Sequence, residues 1–198
     1  MIAILDYGSG NIRSAQKAIE RIGVATEVTS QYSSALNAAG LVVPGVGAFG
    51  SCMQQLVAVR GDELIKERLK LGRATLGVCV GMQVLFERSD ESSGSGLGVL
   101  AGNIKRLNAP ILPHIGWNEV KTTSEMQLMK GLEGERFYFV HSYAALEAPK
   151  EISTAMSNYG ENFIAAIEQD SLSAVQFHPE KSGIDGINLL KKIPDFFK

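Results

Sequence analysis

Cysteine is scarce in this sequence: only Cys52 and Cys79 occur among its 198 residues. A pair so far apart fits neither a disulfide framework nor the closely spaced ligands of a zinc site. We therefore expect no bound metal, and a reducing compartment such as the cytoplasm. Cys52 stands in the apolar stretch 49–59, where we expect it to serve only as packing.

Excess charge and long apolar runs are also absent. The formal net charge is -2 and the pI is near 6.0, which argues against nucleic acid as a partner. No apolar run approaches the roughly 20 residues that cross a bilayer, and residues 1–6 look like a short strand without the charged start of a secretion signal. A P-loop is missing, and residues 8–11 lack the full spacing of a dinucleotide-binding turn, so we expect no cofactor.

The first half of the chain alternates between short apolar segments and helical patterns. Such alternation is typical of parallel strands joined by crossover helices. Beyond residue 98 the patterns predict further strands, some of them antiparallel, and a last amphipathic helix over 186–197. We interpret residues 89–96 as a flexible surface loop. The length suits one core, so we predict a single α/β domain over 1–198, with an open, mostly parallel sheet flanked by helices and an additional strand-rich antiparallel part.

The segment Gly77-Val78-Cys79-Val80-Gly81 places a cysteine between two glycines, where an apolar strand turns into a helix. Glycines in such a turn remove side chains that would clash, so that one side chain stands out at the end of the sheet. At a helix N-terminus, unpaired amides and the helix dipole favour a thiolate over a thiol. Free cysteines are often buried packing residues, however, and the segment alone leaves both interpretations open.

A histidine and a glutamate far downstream favour a nucleophilic role for Cys79. Residues 173–178 predict a strand that stops at Pro179, and His178 and Glu180 leave an extended chain on the same side. A histidine that acts as base for a thiol needs a third group to orient it and to stabilise the imidazolium. Alone, the pair could be a strand-end histidine beside a solvated glutamate. Together with the cysteine turn, it predicts a Cys79-His178-Glu180 triad.

These segments resemble class I glutamine amidotransferases, which hydrolyse the side-chain amide of glutamine with a Cys-His-Glu triad. Four more motifs narrow the resemblance to the glutaminase subunits of imidazole glycerol phosphate synthase: DYGSGNIRS at 6–14, PGVGAF at 44–49, PHIGWN at 113–118 and YFVHSY at 138–143. The motifs extend from residue 6 to residue 180, so the resemblance covers nearly the whole chain and implies a flavodoxin-like fold. Val80 replaces the leucine more common in the family, but only its backbone is expected to matter.

The resemblance implies a mechanism. Cys79 would attack the amide carbonyl of L-glutamine, His178 would protonate the departing ammonia and then activate water, and Glu180 would orient His178. The oxyanion hole maps onto Gly45, Val46, Gly47 and the N–H of Val80, and a glycine-rich turn there can flip its peptides so that the hole forms only when signalled.

Residues that bind the substrate follow from the same resemblance. For His141 a satisfied strand histidine is the alternative to direct contact, and for Tyr143 we favour packing. The substrate contacts map onto Gln83, His141, Ser142 and Tyr143.

The ammonia needs an acceptor, and this chain carries no convincing site for one. In the resembled enzyme the partner is a (β/α)8-barrel cyclase, which combines ammonia with a phosphoribulosyl formimino intermediate to make imidazole glycerol phosphate and AICAR in histidine biosynthesis. We therefore expect a heterodimer. Trp117 between polar neighbours fits either an interface anchor or a core residue. The candidate docking residues are Ser9, Gly10, Asn11, Trp117, Asn118, Tyr138 and Lys181.

Three other interpretations remain open from the sequence. A glutaminase subunit of pyridoxal phosphate, anthranilate or GMP synthesis would share the triad but should lack Gly116-Trp117-Asn118. Cysteine proteins of the DJ-1 group commonly have a histidine after the reactive cysteine, where this chain has Val80. A binding module with Cys79 as a redox sensor would give His178 and Glu180 no reason to be present.

Overall fold

A computed structural model describes residues 1–193. Its elements, in chain order, are β1 (Ile2–Leu5), α1 (Ile12–Arg21), β2 (Thr26–Thr29), α2 (Tyr32–Asn37), β3 (Gly40–Gly45), α3 (Phe49–Ala58), α4 (Gly61–Lys70), β4 (Thr75–Cys79), α5 (Val80–Gln83), β5 (Phe86–Ser89), β6 (Ser92–Ser95), β7 (Leu100–Arg106), β8 (His114–Glu119), β9 (Lys121–Thr122), β10 (Arg136–His141), β11 (Tyr143–Ala145), β12 (Ser153–Tyr159), β13 (Glu161–Gln169), β14 (Leu172–Val175), a 3₁₀ turn (Pro179–Lys181) and α6 (Gly183–Leu190).

The main sheet has eight strands in the order β2-β1-β3-β4-β14-β13-β12-β9. The first five are parallel, and their order is that of flavodoxin-like sheets. The other three extend the sheet as antiparallel neighbours. Strands β1, β3, β4 and β14 are buried throughout, which is why they are continuously apolar rather than alternating. The predicted fold class is confirmed.

Two smaller sheets make up the strand-rich part of the molecule. One is a ribbon of β8 and β10, and the other has the order β11-β7-β5-β6. The predicted flexible loop at 89–96 is wrong, because β5 and β6 pair there, with Arg88 opposite Ser95. Backbone groups can make this ladder whatever the side chains are, so its serines and glycines misled the prediction.

Other boundaries also differ from the sequence prediction. Strand β13, the longest strand of the main sheet, was not predicted, and neither was most of β8. The last helix was predicted over 186–197, whereas α6 runs from Gly183 to Leu190. The part of that prediction beyond residue 193 lies outside the described residues.

The parallel strands place several segments at one edge of the sheet. The carboxyl ends of β1, β3, β4 and β14 lead into residues 6–11, 44–47, 79–81 and 176–180. In open α/β sheets, ligands bind at this edge, where the strand order reverses. Here the reversal lies between β1 and its neighbours β2 and β3. No helix within residues 1–193 has the length and apolarity needed to span a membrane.

Candidate active site

Cys79 stands at a sharp junction between β4 and α5. Its backbone has φ 56° and ψ -114°, a strained conformation for any residue other than glycine. Both flanking glycines are required: a Cβ at Gly81 would overlap the Val43 carbonyl oxygen, and one at Gly77 would lie 2.6 Å from the Gly81 oxygen. The fold therefore holds the thiol at the tip of a strained turn, as the sequence predicted.

His178 and Glu180 come to Cys79 from the segment after β14. The His178 Nδ1 lies 2.9 Å from Glu180 Oε1, and the two side chains are only 4% and 6% exposed. Burial by itself lowers the pKa of His178, but the adjacent Cys79 and Glu180 outweigh it and raise the pKa to about 10. The imidazole is therefore a cation near neutral pH, next to the sulfur of Cys79.

The backbone of His178 is tied to strand β10. Its N–H donates to the Tyr138 carbonyl at 2.9 Å. The buried Ser182 hydroxyl accepts from the Tyr138 N–H at 2.9 Å and donates to the His178 carbonyl at 2.7 Å. The ribbon thus positions the histidine.

A cavity of about 280 Å³ opens beside Cys79. It brings together the four substrate residues predicted from sequence and most of the predicted oxyanion residues. Its lining also includes Lys181, which we predicted only for docking, and Glu91, which the sequence reasoning missed. Glu91 follows β5, in the segment taken for a flexible loop, and its carboxylate accepts the Phe49 N–H at 2.7 Å. The lining is Val46, Gly47, Cys79, Val80, Gln83, Glu91, Val140, His141, Ser142, Tyr143, His178 and Lys181.

His141 lines the same cavity as His178, but its pKa is shifted in the opposite direction. Its Nδ1 contacts the Tyr143 carbonyl at 3.0 Å, and its Nε2 contacts His114 Nδ1 at 3.2 Å. Burial, followed by the nearby histidines, lowers the pKa of His141 to about 3, and burial lowers the pKa of His114 to about 4. His114 also stacks on Tyr159 with ring centroids 4.0 Å apart. Both rings are neutral at pH 7, so His141 is a satisfied strand histidine that also lines the cavity.

The predicted oxyanion segment packs directly on the turn. A Cβ at Gly45 would overlap the Gly81 nitrogen, so only glycine permits this approach. The Val46 N–H donates to Ser9 Oγ at 3.2 Å, and the Val46 carbonyl accepts from Ser9 Oγ at 2.8 Å and from Cys52 Sγ at 3.2 Å. Cys52 is therefore buried as predicted, but it does more than pack, because its thiol helps to hold Val46.

The candidate docking residues divide into groups. Trp117 is 47% exposed and meets Tyr138 edge to face across the β8–β10 ribbon, with centroids 6.1 Å apart. Lys181 is exposed, and Gly10 and Asn11 are half-buried.

Two of the candidate docking residues, Ser9 and Asn118, do not lie on the surface that contains Trp117. Ser9 is 7% exposed and its hydroxyl donates to the Val46 carbonyl inside the protein, so it is not part of the exposed surface. Asn118 follows Trp117 in β8 and so points to the other face of the ribbon, where its amide donates to the Asn158 carbonyl at 2.6 Å. It does not share the Trp117 surface.

The family model for class I glutamine amidotransferases matches residues 3–192. The chain belongs to this family. Two solved structures support the fold: a crystal structure of a glutamine amidotransferase (TM-score 0.75, 16% identity, 99% of this chain and 96% of that one) and PurLQS from Thermotoga maritima (TM-score 0.74, 18% identity, 100% and 98%). At these identities the likeness concerns the fold alone.

Curated relatives place the chain more narrowly within the class. The imidazole glycerol phosphate synthase subunit HisH of Mycolicibacterium paratuberculosis is 50% identical, over 96% of this chain and 95% of that one. The protein of the same name from Nocardia farcinica is 48% identical over 98% and 97%. The chain is thus a member of the HisH group of glutamine amidotransferases.

Proposed function

We propose that this chain is the glutaminase subunit of imidazole glycerol phosphate synthase, which hydrolyses L-glutamine and passes the ammonia to a cyclase subunit. The observation that carries the activity is the His178–Glu180 pair, buried and 2.9 Å apart, beside a cysteine on a strained strand-to-helix turn. A base oriented by a carboxylate and set next to a thiol is the arrangement of covalent amide hydrolysis.

The cavity suits the substrate in size and charge. About 280 Å³ is at the small end of ligand pockets, near 300 Å³, and fits a single amino acid better than a peptide. Glu91 supplies a carboxylate for the substrate ammonium, and Lys181 supplies an ammonium for the substrate carboxylate. The side-chain amide of glutamine then extends towards Cys79, and Gln83 and the backbone of residues 141–143 complete the contacts.

The reaction proceeds in two stages. The Cys79 thiolate attacks the amide carbon, and the His178 imidazolium gives its proton to the departing ammonia, which leaves a thioester. The neutral imidazole then removes a proton from water, which attacks the thioester and releases glutamate. Glu180 keeps Nδ1 oriented, so that Nε2 faces the reacting atoms throughout.

The oxyanion hole is not complete in this conformation. The Val80 N–H begins α5 next to the nucleophile, but the Val46 N–H is donated to Ser9. We propose that the peptide between Gly45 and Val46 must turn before its N–H can bind the oxyanion, and that docking of the cyclase favours this turn. A preorganised donor of this kind contributes about 3 kcal/mol to transition-state stabilisation, so the isolated chain should be slow.

The proposed partner is a (β/α)8-barrel cyclase, in a cytoplasmic heterodimer. The relatives are named as subunits, which supports a partner chain. The proposed docking surface contains Trp117, Tyr138, Lys181, Gly10 and Asn11. It adjoins the cavity, because Lys181 belongs to both, and Tyr138 is bonded to the His178 backbone. Ammonia released there has a short way to the partner.

The test is glutamine-dependent ammonia release, measured for the chain alone, with the cyclase, and with the cyclase and its nucleotide ligand. We expect low activity alone, a large increase in the liganded complex, and none with Cys79→Ala. The control is the same Cys79→Ala complex supplied with ammonium salt: it should still form imidazole glycerol phosphate, because only ammonia production is removed.

Two results separate the parts of this proposal. Full glutaminase activity of Cys79→Ala would refute the mechanism. Failure of an active chain to bind the cyclase would refute the pathway and leave the glutaminase in place.

A further inference from the structure

Gln176 has a buried polar side chain that lies next to Cys79 and has no role in the mechanism described above. It is fully buried, and its Nε2 lies 3.8 Å from Cys79 Sγ, within hydrogen-bonding range for sulfur. Its N–H extends the ladder after β14 by donating to the Ala165 carbonyl at 2.8 Å. Gln176 and His178 both belong to the segment that follows β14, and both side chains approach Cys79, because His178 lines the same cavity as the cysteine.

The hydrogen-bond partners of the Gln176 side-chain amide determine its orientation. The Tyr143 carbonyl can only accept, so the Gln83 Nε2 at 2.8 Å from it must be the donor end of the Gln83 amide. The same Nε2 lies 3.0 Å from Gln176 Oε1, which therefore accepts. With its oxygen committed to Gln83, Gln176 has only its NH₂ group to present to Cys79. Tyr143, Gln83 and Gln176 thus form a directed relay that ends in an N–H aimed at sulfur.

We propose that Gln176 is a further catalytic residue, whose side-chain N–H binds the Cys79 thiolate, and that Gln83 positions it. An N–H donor stabilises a thiolate more than a thiol, because charge-assisted hydrogen bonds are the stronger ones. His178 and Gln176 then flank the sulfur as two donors from one segment. The inference rests on the proposed function for the role of Cys79 as nucleophile, whereas its test does not need glutamine.

Other groups around Cys79 do not replace this donor. The Val140 carbonyl, 4.0 Å from the sulfur, can only accept and so suits the thiol form. The ionisable groups that share the cavity with Cys79 are Tyr143, His178, His141, Glu91 and Lys181. Burial raises the pKa of Cys52 and of Tyr7, so these two groups near Val46 are neutral at pH 7. Among these, His178 is the cation whose raised pKa reflects the adjacent Cys79.

The experiment measures the rate of Cys79 alkylation by iodoacetamide across pH, with peptide mapping by mass spectrometry to separate Cys79 from the buried Cys52. In Gln176→Met the N–H is gone, and we expect the midpoint of the pH profile to rise by about one pH unit, so that the rate falls about tenfold at pH values well below the midpoint. In Gln176→Glu the shape is kept and a negative charge replaces the donor, so the midpoint should rise further.

The control is Ser173→Ala, which removes another buried polar group from the same segment; the Ser173 hydroxyl has no partner among the described residues. Its profile should match that of the unmodified protein. Circular dichroism and the thermal midpoint establish which variants are folded.

A folded Gln176→Met or Gln176→Glu with an unchanged midpoint would overturn the inference. If neither variant folds, Gln83→Met is measured instead. Loss of the group that orients Gln176 should raise the midpoint by less than one pH unit. An unchanged midpoint in this variant would also overturn the inference. Absence of ammonia release from the unmodified complex would instead refute the proposed function, and the alkylation result would stand independently of it.

Discussion

Two buried histidines line the same cavity, but their pKa values are shifted in opposite directions. His178 and His141 are 3% and 6% exposed. The pKa of His178 is raised to about 10, whereas the pKa of His141 is lowered to about 3. Burial disfavours the cation in both, so the difference comes from the partners. Glu180 and Cys79 favour a cation at His178, while His141 faces the neutral His114 and aromatic rings.

The two partner sets also arise differently along the chain. Glu180 is two residues from His178, so a local segment supplies the carboxylate. His114 lies opposite His141 only because β8 and β10 pair in that register. His178 thus has a charged partner set, as the proposed proton transfer requires, whereas the partners of His141 keep it neutral.

The exchange of each histidine for asparagine should give the largest difference in activity between the two positions. We expect His178→Asn to lower kcat about 10⁴-fold or more, because both proton transfers are lost. His141→Asn is the matched control and should lose far less, since Asn can still donate to the Tyr143 carbonyl. Ammonia release in the cyclase complex measures both. Equal losses of kcat would show that His178 and His141 do not have separate roles.

Removal of the carboxylate alone should have the next largest effect. In Glu180→Gln the pKa of His178 falls, because a negative partner becomes neutral, and the ring loses its fixed tautomer. We expect kcat to fall about 10²- to 10⁴-fold. Glu63→Gln is the control: it removes only an exposed ion pair with Arg60. A Glu180→Gln enzyme with normal kcat would mean that His178 needs no orienting group.

The neutral histidines should appear in the pH dependence of stability. Their folded pKa values lie below the usual 6.5, so the unfolded chain binds protons first, and the free energy of unfolding falls as pH drops from about 6.5 towards 4. His178 has the opposite effect: it stays charged in the folded state, whereas the unfolded chain protonates it only as pH falls through about 6.5. It therefore adds a slope of opposite sign near pH 6.5, which fades by about pH 5 and is the same with and without His114. His114→Phe keeps the stack on Tyr159 and should reduce the slope by up to about 1.4 kcal/mol per pH unit.

Urea unfolding at pH 7, 6 and 5 measures this slope. Carboxylates contribute equally in both proteins, so the difference between them isolates His114. An unchanged slope in His114→Phe would contradict the assignment of a buried, neutral His114.

The smallest expected effect concerns the Ser182 hydroxyl, which connects strand β10 to the backbone of His178. Ser182→Ala removes the hydroxyl that joins the Tyr138 N–H to the His178 carbonyl. We expect the free energy of unfolding to fall by about 1–2 kcal/mol, because a buried N–H loses its partner. The kcat should fall a few-fold with KM nearly unchanged, since His178 shifts and the substrate contacts stay. A fall in stability with no change in kcat would limit Ser182 to a structural role.

The sequence predicted the parallel part of the fold better than the ribbon. Strands β1 and β2 fall among the predicted short apolar segments, because such runs between helical patterns are distinctive. The Cys79 turn, His178 and Glu180 were predicted because their chemistry is local: two glycines, or two residues two apart. Glu91 and Gln176 were missed, since a glutamate in a polar segment and a glutamine before an aromatic residue show nothing unusual in the chain.

The sequence by itself determined the fold class, the strained turn at Cys79 and the His178–Glu180 pair, because apolar periodicity, the two glycines and the two-residue separation are local features of the chain. The tertiary structure alone decided which histidine is charged, that the Val46 N–H is held by Ser9, and that an amide relay from Tyr143 ends at the sulfur. These depend on groups far apart in sequence, and their charges and hydrogen-bond directions follow only from the partners that folding brings within 3 to 4 Å.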